Sequence, residues 1–248
     1  CWVMRPPKEA KLKKSKPAIL QIHGGPHCQY GWMFFHEFQC LASAGYTVVY
    51  SNPRGSKGYG RDHCDAIRND WGGADWVDMQ AVIAMMRKDK TINSKNMGVM
   101  GGSYGGYMTN WIVGHTDRFA AAVAQRSIVN HLSKVGTADN GPEGTRNETG
   151  EDPWSNLEQV WRQSPVAYAE DMHTPLLIVH SDEDHRVPLE QAEQLFAVLR
   201  WMGREVEMVI FEGENHGLSR GGRPGNRIER LRRISGWFDK YLGTKPSE

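Results

Sequence analysis

Ser103, Asp184 and His216 are the side chains in this sequence from which a reaction can be built. A serine hydroxyl is a weak nucleophile near neutral pH unless a histidine removes its proton, and that histidine needs a carboxylate to fix its tautomer and steady its charged form. Ser103 lies in Gly101-Gly102-Ser103-Tyr104-Gly105-Gly106. The apolar run Met97-Gly98-Val99-Met100 before it has strand character. The stretch from Tyr107 to His115 after it has helical spacing. A G-x-S-x-G turn between a strand and a helix holds the serine in a strained conformation, so its neighbours must be small. The chemistry implied is attack by an activated alcohol on an acyl carbon.

The acid and the base should follow the serine in chain order, each in a loop after a later strand. Asp184 comes shortly after the apolar run ending at His180, within His180-Ser181-Asp182-Glu183-Asp184-His185-Arg186-Val187-Pro188, where Asp182 and Glu183 compete with it for the role. His216 follows the run ending at Phe211, in Gly213-Glu214-Asn215-His216-Gly217. Other histidines, such as His23 and His180, also end strands but stand in the wrong order. Negative charge developing on the substrate oxygen needs two backbone donors, one of them the amide after the nucleophile, at Tyr104. The second is expected from His23-Gly24-Gly25-Pro26, with Gly25 as the donor.

These residues require a scaffold that delivers several strand ends to one place. Strand-like runs recur at 18–22, 46–50, 97–100, 120–124, 176–180 and 206–211, mostly separated by helical patterns, and Trp2-Val3-Met4 resembles the end of a further strand. The expectation is an α/β protein of α/β-hydrolase fold, a mainly parallel central sheet with helices on both faces. Trp76, Met79, Ile83 and Met86 mark one amphipathic helix, and Ala192, Leu195, Phe196 and Leu199 another. From Ser127 to Pro165 the pattern breaks into loops and short helices, with Trp154 and Trp161 as candidates for lining a pocket. The arginines at 227, 230, 232 and 233 read as the solvated face of a helix whose other face carries Leu231, Ile234 and Phe238.

Composition narrows the function classes. A chain of 248 residues, 39% hydrophobic and 24% charged, suits one large core. Its net charge of +1 provides no field for attracting nucleic acid or an anionic membrane, and Lys11, Lys13, Lys14 and Lys16 read as a solvated loop. Nothing approaches the roughly 20 apolar residues of a membrane span. Cys1, Cys28, Cys40 and Cys64 lack paired spacing, so free thiols in a reducing, cytoplasmic setting are expected. His23, His27, Cys28, His36 and Cys40 crowd one region without a second half for a metal site, so neither metal nor organic cofactor is expected.

The sequence resembles the catalytic domain of the prolyl oligopeptidase family, nearest its acylaminoacyl-peptidase and bacterial dipeptidyl-aminopeptidase-like branch. The resemblance runs along nearly the whole chain. It rests on His23-Gly24-Gly25-Pro26, on Asn52-Pro53-Arg54-Gly55-Ser56 with Gly58-Tyr59-Gly60, and on Gly101 to Gly106. It continues through Ser164-Pro165, Thr174-Pro175-Leu176-Leu177, the Asp184 segment, and Glu214-Asn215-His216-Gly217 running into Arg220 and Arg223-Pro224. It implies that Ser103, Asp184 and His216 form a triad, and that Arg186 binds a substrate carbonyl just upstream of the scissile bond; Arg186 could otherwise pair with Asp182 or Glu183. It also implies that residues 1–248 are one catalytic domain, a piece of a longer chain in which a β-propeller precedes Cys1. The expected substrates are short peptides or acyl-peptides, with a homo-oligomer compatible with the family. The rivals are a carboxylesterase and an inactive hydrolase fold used for binding. If His216 is the base, activity rises as pH climbs through the ordinary histidine range, and a flat pH–rate profile there removes it from that role.

Overall fold

A computed structural model of the chain describes residues 1–7 and 15–243. Lys11, Lys13 and Lys14 of the basic cluster lie outside them. The strands are β1 (Trp2–Met4), β2 (Lys16–Ile22), β3 (Thr47–Tyr50), β4 (Ile92–Gly102), β5 (Ala121–Gln125), β6 (Leu176–Ser181) and β7 (Val206–Phe211). They form one seven-stranded sheet in the order β1-β3-β2-β4-β5-β6-β7. Only β1 runs antiparallel to its neighbour, pairing Val3 with Val49; the other pairings are parallel. The expected runs are therefore all strands, with β4 beginning earlier than the apolar signal because its first residues, Ile92 to Asn96, are mostly polar and partly exposed.

A parallel sheet must be covered on both faces, and the side-chain alternation shows how. Ala18, Leu20 and Ile22 of β2, Val99 of β4, and Leu176 and Ile178 of β6 point into one core. Ile19, Met100, Leu177 and Val179 point into the other. The first core is closed by α3 (Ala74–Lys88) through Met79, Ile83 and Met86, by α4 (Tyr104–Val113), and by α8 (Glu190–Trp201) through Ala192, Leu195 and Leu199. The second is closed by α1 (His36–Ser43) through Phe38 and Leu41, and by α10 (Pro224–Leu242) through Ile234, Trp237 and Phe238. Two short helices, α2 (Arg61–Asp65) and α9 (Leu218–Gly221), lie in the connections. This is the α/β-hydrolase arrangement.

The strand order reverses direction at β2. From β2 the chain moves outward to β3, then crosses back so that β4 lies on the other side of β2. Loops leaving the carboxyl ends of β2 and β4 therefore diverge and leave a crevice between them, the place where open α/β sheets bind ligands. His23-Gly24-Gly25 and Ser103 are those two loops.

The segment expected as loops and short helices contains α5 (His131–Thr137), α6 (Gly141–Thr149), α7 (Leu157–Arg162) and a 3-10 turn over Pro165–Asp171. It is tied down from within, because Lys134 is buried and donates to Glu148 at 2.9 Å. Trp154 and Trp161 are exposed and are not among the residues lining the cavity that contains Ser103.

The arginine-rich helix also departs from expectation. Arg230 shares the inner face of α10 with Ile234, Trp237 and Phe238, as positions i, i+4, i+7 and i+8 must. Its Nη1 donates to Glu37 Oε2 at 2.6 Å and to Gln125 Oε1 at 2.5 Å. This buried pair joins α10 to α1 and to the end of β5. Arg230→Met keeps the aliphatic packing but strands Glu37, and because that carboxylate retains some solvent the expected loss is about 2 kcal/mol, below the full buried-pair cost. A chemical-denaturation midpoint equal to that of the unaltered chain would show that the pair contributes nothing to stability.

Candidate active site

Ser103 sits between β4 and α4 with φ 63° and ψ −124°. This is a left-handed conformation that a residue with a side chain adopts only when its surroundings enforce it. The enforcement is backbone on backbone. A Cβ on Gly101 would lie 2.4 Å from the carbonyl oxygen of Gly105, and one on Gly105 would lie 2.2 Å from the carbonyl oxygen of Ile22. The first turn of α4 is thus pressed against the end of β2, and only glycine fits. The Ser103 amide donates to Gln125 O at 3.0 Å and its carbonyl accepts from Tyr107 at 2.9 Å, which holds the turn from both sides.

His216 reaches this serine from the loop between β7 and α9. Its Nε2 is 3.0 Å from Ser103 Oγ, and its Nδ1 is 2.7 Å from Asp184 Oδ2. Because the carboxylate can only accept, Nδ1 carries the proton, leaving Nε2 to accept from the hydroxyl. Asp184 is buried, and its other oxygen accepts from the amides of Arg186 at 3.1 Å and Val187 at 2.9 Å. Those bonds fix the orientation of the carboxylate and aim its free oxygen at the imidazole. Asp182 and Glu183 are exposed, and Asp182 accepts from the Gly213 amide at 2.7 Å. Of the three acids, only Asp184 touches the imidazole.

The His216 loop is fixed by Glu214, whose buried carboxylate accepts from the Arg223 amide at 2.9 Å and from Asn226 Nδ2 at 2.7 Å. This tethers the loop to the start of α10. His180 lies behind the acid, with Nε2 donating to Val187 O at 2.8 Å; burial lowers its pKa, so it stays neutral.

The amide of Tyr104 is the first of α4 and has no acceptor within its own helix. The other candidate donor, Gly25, has φ 125° and lines a cavity together with Ser103 and His216. Gly24 passes closest to the nucleophile: a Cβ there would lie 3.0 Å from Gly102 O and 3.4 Å from Ser103 Cβ. This close approach was not visible in the sequence beyond the paired glycines. The Tyr104 side chain is anchored away from the cavity, its hydroxyl donating to buried Asp75 Oδ2 at 2.6 Å.

Arg186 does not reach Asp182 or Glu183. It pairs instead with Asp139, between α5 and α6, with Nε to Oδ1 at 2.7 Å and Nη2 to Oδ2 at 3.3 Å. That pairing leaves Nη1 uncommitted. The partner comes from the segment whose sequence shows no pattern, so nothing in the sequence pointed to it.

Of the histidines and cysteines near the amino end, His27 Nδ1 lies 3.1 Å from Cys64 Sγ and His36 Nε2 lies 3.5 Å from Cys40 Sγ. His23 Nε2 bonds Ser56 Oγ at 2.9 Å and His27 Nδ1 bonds Gly55 O at 2.8 Å. Among the described residues no group of three or more His, Cys, Asp or Glu side chains is arranged to hold a metal, and no helix is long and apolar enough to cross a membrane.

A cavity of about 550 Å³ opens beside Ser103 and His216. Its apolar lining comes from Tyr30, Phe34, Phe35, Phe38, Ile228 and Leu231, and Arg126, Arg220, Arg227 and Arg230 with Glu37 line it as well. None of these positions stands out in the sequence as part of a site.

The family model described as "Prolyl oligopeptidase family" matches residues 32–245. A Bacillus subtilis protein described as uncharacterized peptidase YuxL is 52% identical over 242 residues, covering 97% of this chain and 37% of its own length. Dipeptidyl-peptidase 5 of Aspergillus fumigatus is 34% identical over 253 residues, covering 99% of this chain and 34% of its own. The structure of Pyrococcus horikoshii acylaminoacyl peptidase superimposes with a TM-score of 0.92 at 33% identity, over 100% of this chain and 40% of that one. The chain thus spans well under half the length of the relatives it matches.

Burial is the largest influence on Asp75 and raises its pKa from 3.8 to about 6, despite hydrogen bonds from Tyr104, Gly72 and Trp76 that favour the anion. The folded chain therefore keeps this proton to higher pH than the unfolded chain does. The ionisation cost is absent below about 4 and complete above about 6, so stability falls as pH rises through that interval. Asp75→Asn cannot titrate. The expected outcome is that the denaturation free energy of the unaltered chain, relative to Asp75→Asn, declines between those limits. A constant difference would mean that Asp75 ionises normally.

Proposed function

Because the chain belongs to the prolyl oligopeptidase family, we propose that it is a serine peptidase that cleaves peptide or N-acyl-peptide bonds of short peptides. One observation carries this reading: the continuous relay from Ser103 Oγ through His216 to Asp184, with bonds of 3.0 and 2.7 Å. In this reading Ser103 Oγ attacks the substrate carbonyl carbon while its proton passes to His216 Nε2. The charge formed on the imidazole faces Asp184. The charge formed on the substrate oxygen is met by the amides of Tyr104 and Gly25. Collapse of the tetrahedral intermediate breaks the C–N bond, and His216 returns its proton to the departing amine. Water then adds to the acyl-enzyme with His216 again as base, releasing the acid and regenerating the hydroxyl.

Arg186 is assigned to an upstream substrate carbonyl, donating from Nη1 while Asp139 holds the other edge of the guanidinium. A β-propeller ahead of Cys1, limiting access to short peptides, belongs to the same proposal. So does a reducing, cytoplasmic setting, which suits the unpaired thiols of Cys1, Cys28, Cys40 and Cys64.

A fluorophosphonate should label the chain at Ser103, and Ser103→Ala should abolish labelling and lower kcat on an acyl-amino-acid anilide by about 10⁴-fold or more. Turnover of short nitrophenyl esters with none of the anilide would replace the peptidase by a carboxylesterase. Absence of labelling would leave a binding fold.

A further inference from the structure

Arg126, at the end of β5, is a cavity side chain whose placement the chemistry described so far does not use. It has φ 39°, a left-handed conformation uncommon for a residue with a side chain, and its amide donates to Val179 O at 2.8 Å. The strained backbone directs the guanidinium over the turn before the nucleophile. A Cβ on Gly102 would meet Arg126 Cζ and Nη2 at 2.8 Å, so glycine at 102 makes room for it. Both Arg126 and Ser103 line the cavity of about 550 Å³.

The guanidinium makes no direct ion pair among the described residues, although Glu37 and Asp184 lie near enough to act on it. Its Nε is shielded from solvent and bonds to nothing. The nearby carboxylates are occupied elsewhere. Glu37 accepts from Arg230 at 2.6 Å and from Gln21 at 3.0 Å, and Asp184 accepts from His216 and two amides. Burial, with Arg220 and Arg230 nearby, pushes the Arg126 pKa down to about 10, so it remains a cation at neutral pH. A half-buried guanidinium on a strained backbone, with an Nε shielded and unbonded at a site's edge, is where a ligand's charge restores the balance.

We propose that Arg126 is a specificity-determining residue that receives a carboxylate of the substrate in the cavity beside Ser103. The inference rests on the peptidase reading and deepens it: the preferred peptides are acidic at the position that enters this cavity. A free terminal carboxylate and a Glu or Asp side chain both present this chemistry. Arg220 and Arg227 line the same cavity and favour either. The apolar lining packs the atoms that carry the carboxylate.

The test uses the Ser103→Ala chain, which binds without turnover, titrated calorimetrically with acetylated, amidated tri-alanine and its relatives. One arm compares the free acid with the amide; the other compares Glu with Gln at each position in turn. At least one acidic member should bind about tenfold more tightly than its neutral partner, as a desolvated guanidinium–carboxylate bond allows. In Arg126→Met the advantage should vanish while the neutral peptides bind as before, and Arg126→Lys should restore part of it. Equal binding of acid and neutral peptides in every pair overturns the proposal, as does a preference that survives Arg126→Met. If Arg126→Met does not fold, the acid-to-neutral ratios of the parent and Arg126→Lys chains decide. Fluorophosphonate labelling of the unaltered chain separates the two readings. Labelling without acid preference removes the role of Arg126 alone, whereas acid preference without labelling removes the peptidase.

Discussion

A serine with positive φ, standing between a strand and a helix, persists only where other backbone leans on it from close range. Here the end of β2 supplies that support: the carbonyl of Ile22 approaches Gly105 so tightly that no Cβ could intervene. The contact exists because β2 and β4 are hydrogen-bonded neighbours, Ile22 opposite Gly101. The same adjacency brings Gly24 against Ser103. Nucleophile and candidate oxyanion loop are therefore set by one feature of strand order. A change of register between these strands would remove both.

The acid and the base depend on the other half of the sheet. β6 and β7 pair in parallel as far as Ser181 and Phe211, so the loops that follow begin at the same level. Asp184 is then directed by the amides of Arg186 and Val187, and His216 by the tether from Glu214 to the start of α10. Each loop is held by bonds of its own, and the two are joined by the Gly213 amide on Asp182 at 2.7 Å, the Glu183 amide on Glu214 O at 3.0 Å and the Asp184 to His216 bond. Such pre-set geometry costs no reorganisation when charge develops. The strain at Ser103 is borne by the two cores that clamp the sheet.

The charges around the site fall into two groups. The Arg230 to Glu37 pair and the Lys134 to Glu148 pair are each satisfied by an opposite charge and join separate elements. Arg186 is half-committed to Asp139, and Arg126 forms no ion pair among the described residues and leaves its Nε unbonded. Closed pairs are structural; guanidinium groups left open beside a nucleophile are where binding energy for a substrate is available. The site thus offers polar recognition on the side of the Asp184 loop and in the cavity beside α10.

What was legible in the sequence was whatever local chemistry dictates. The glycines around Ser103, the alternating strand runs and the periodic helices each follow from residues a few positions apart, and they placed the fold, the elbow and the loops holding Asp184 and His216. The choice of Asp184 over Asp182 and Glu183 could not follow from spacing, because all three share one loop; burial and two backbone amides separate them. The reading of Arg230 as a surface charge failed because its partners, Glu37 and Gln125, are more than a hundred residues away along the chain. Asp139 opposite Arg186, and Arg126 without a direct ion pair, were likewise invisible. A charge is paired or unpaired according to what tertiary folding brings beside it, and that depends on strand order and helix packing rather than on neighbours in sequence.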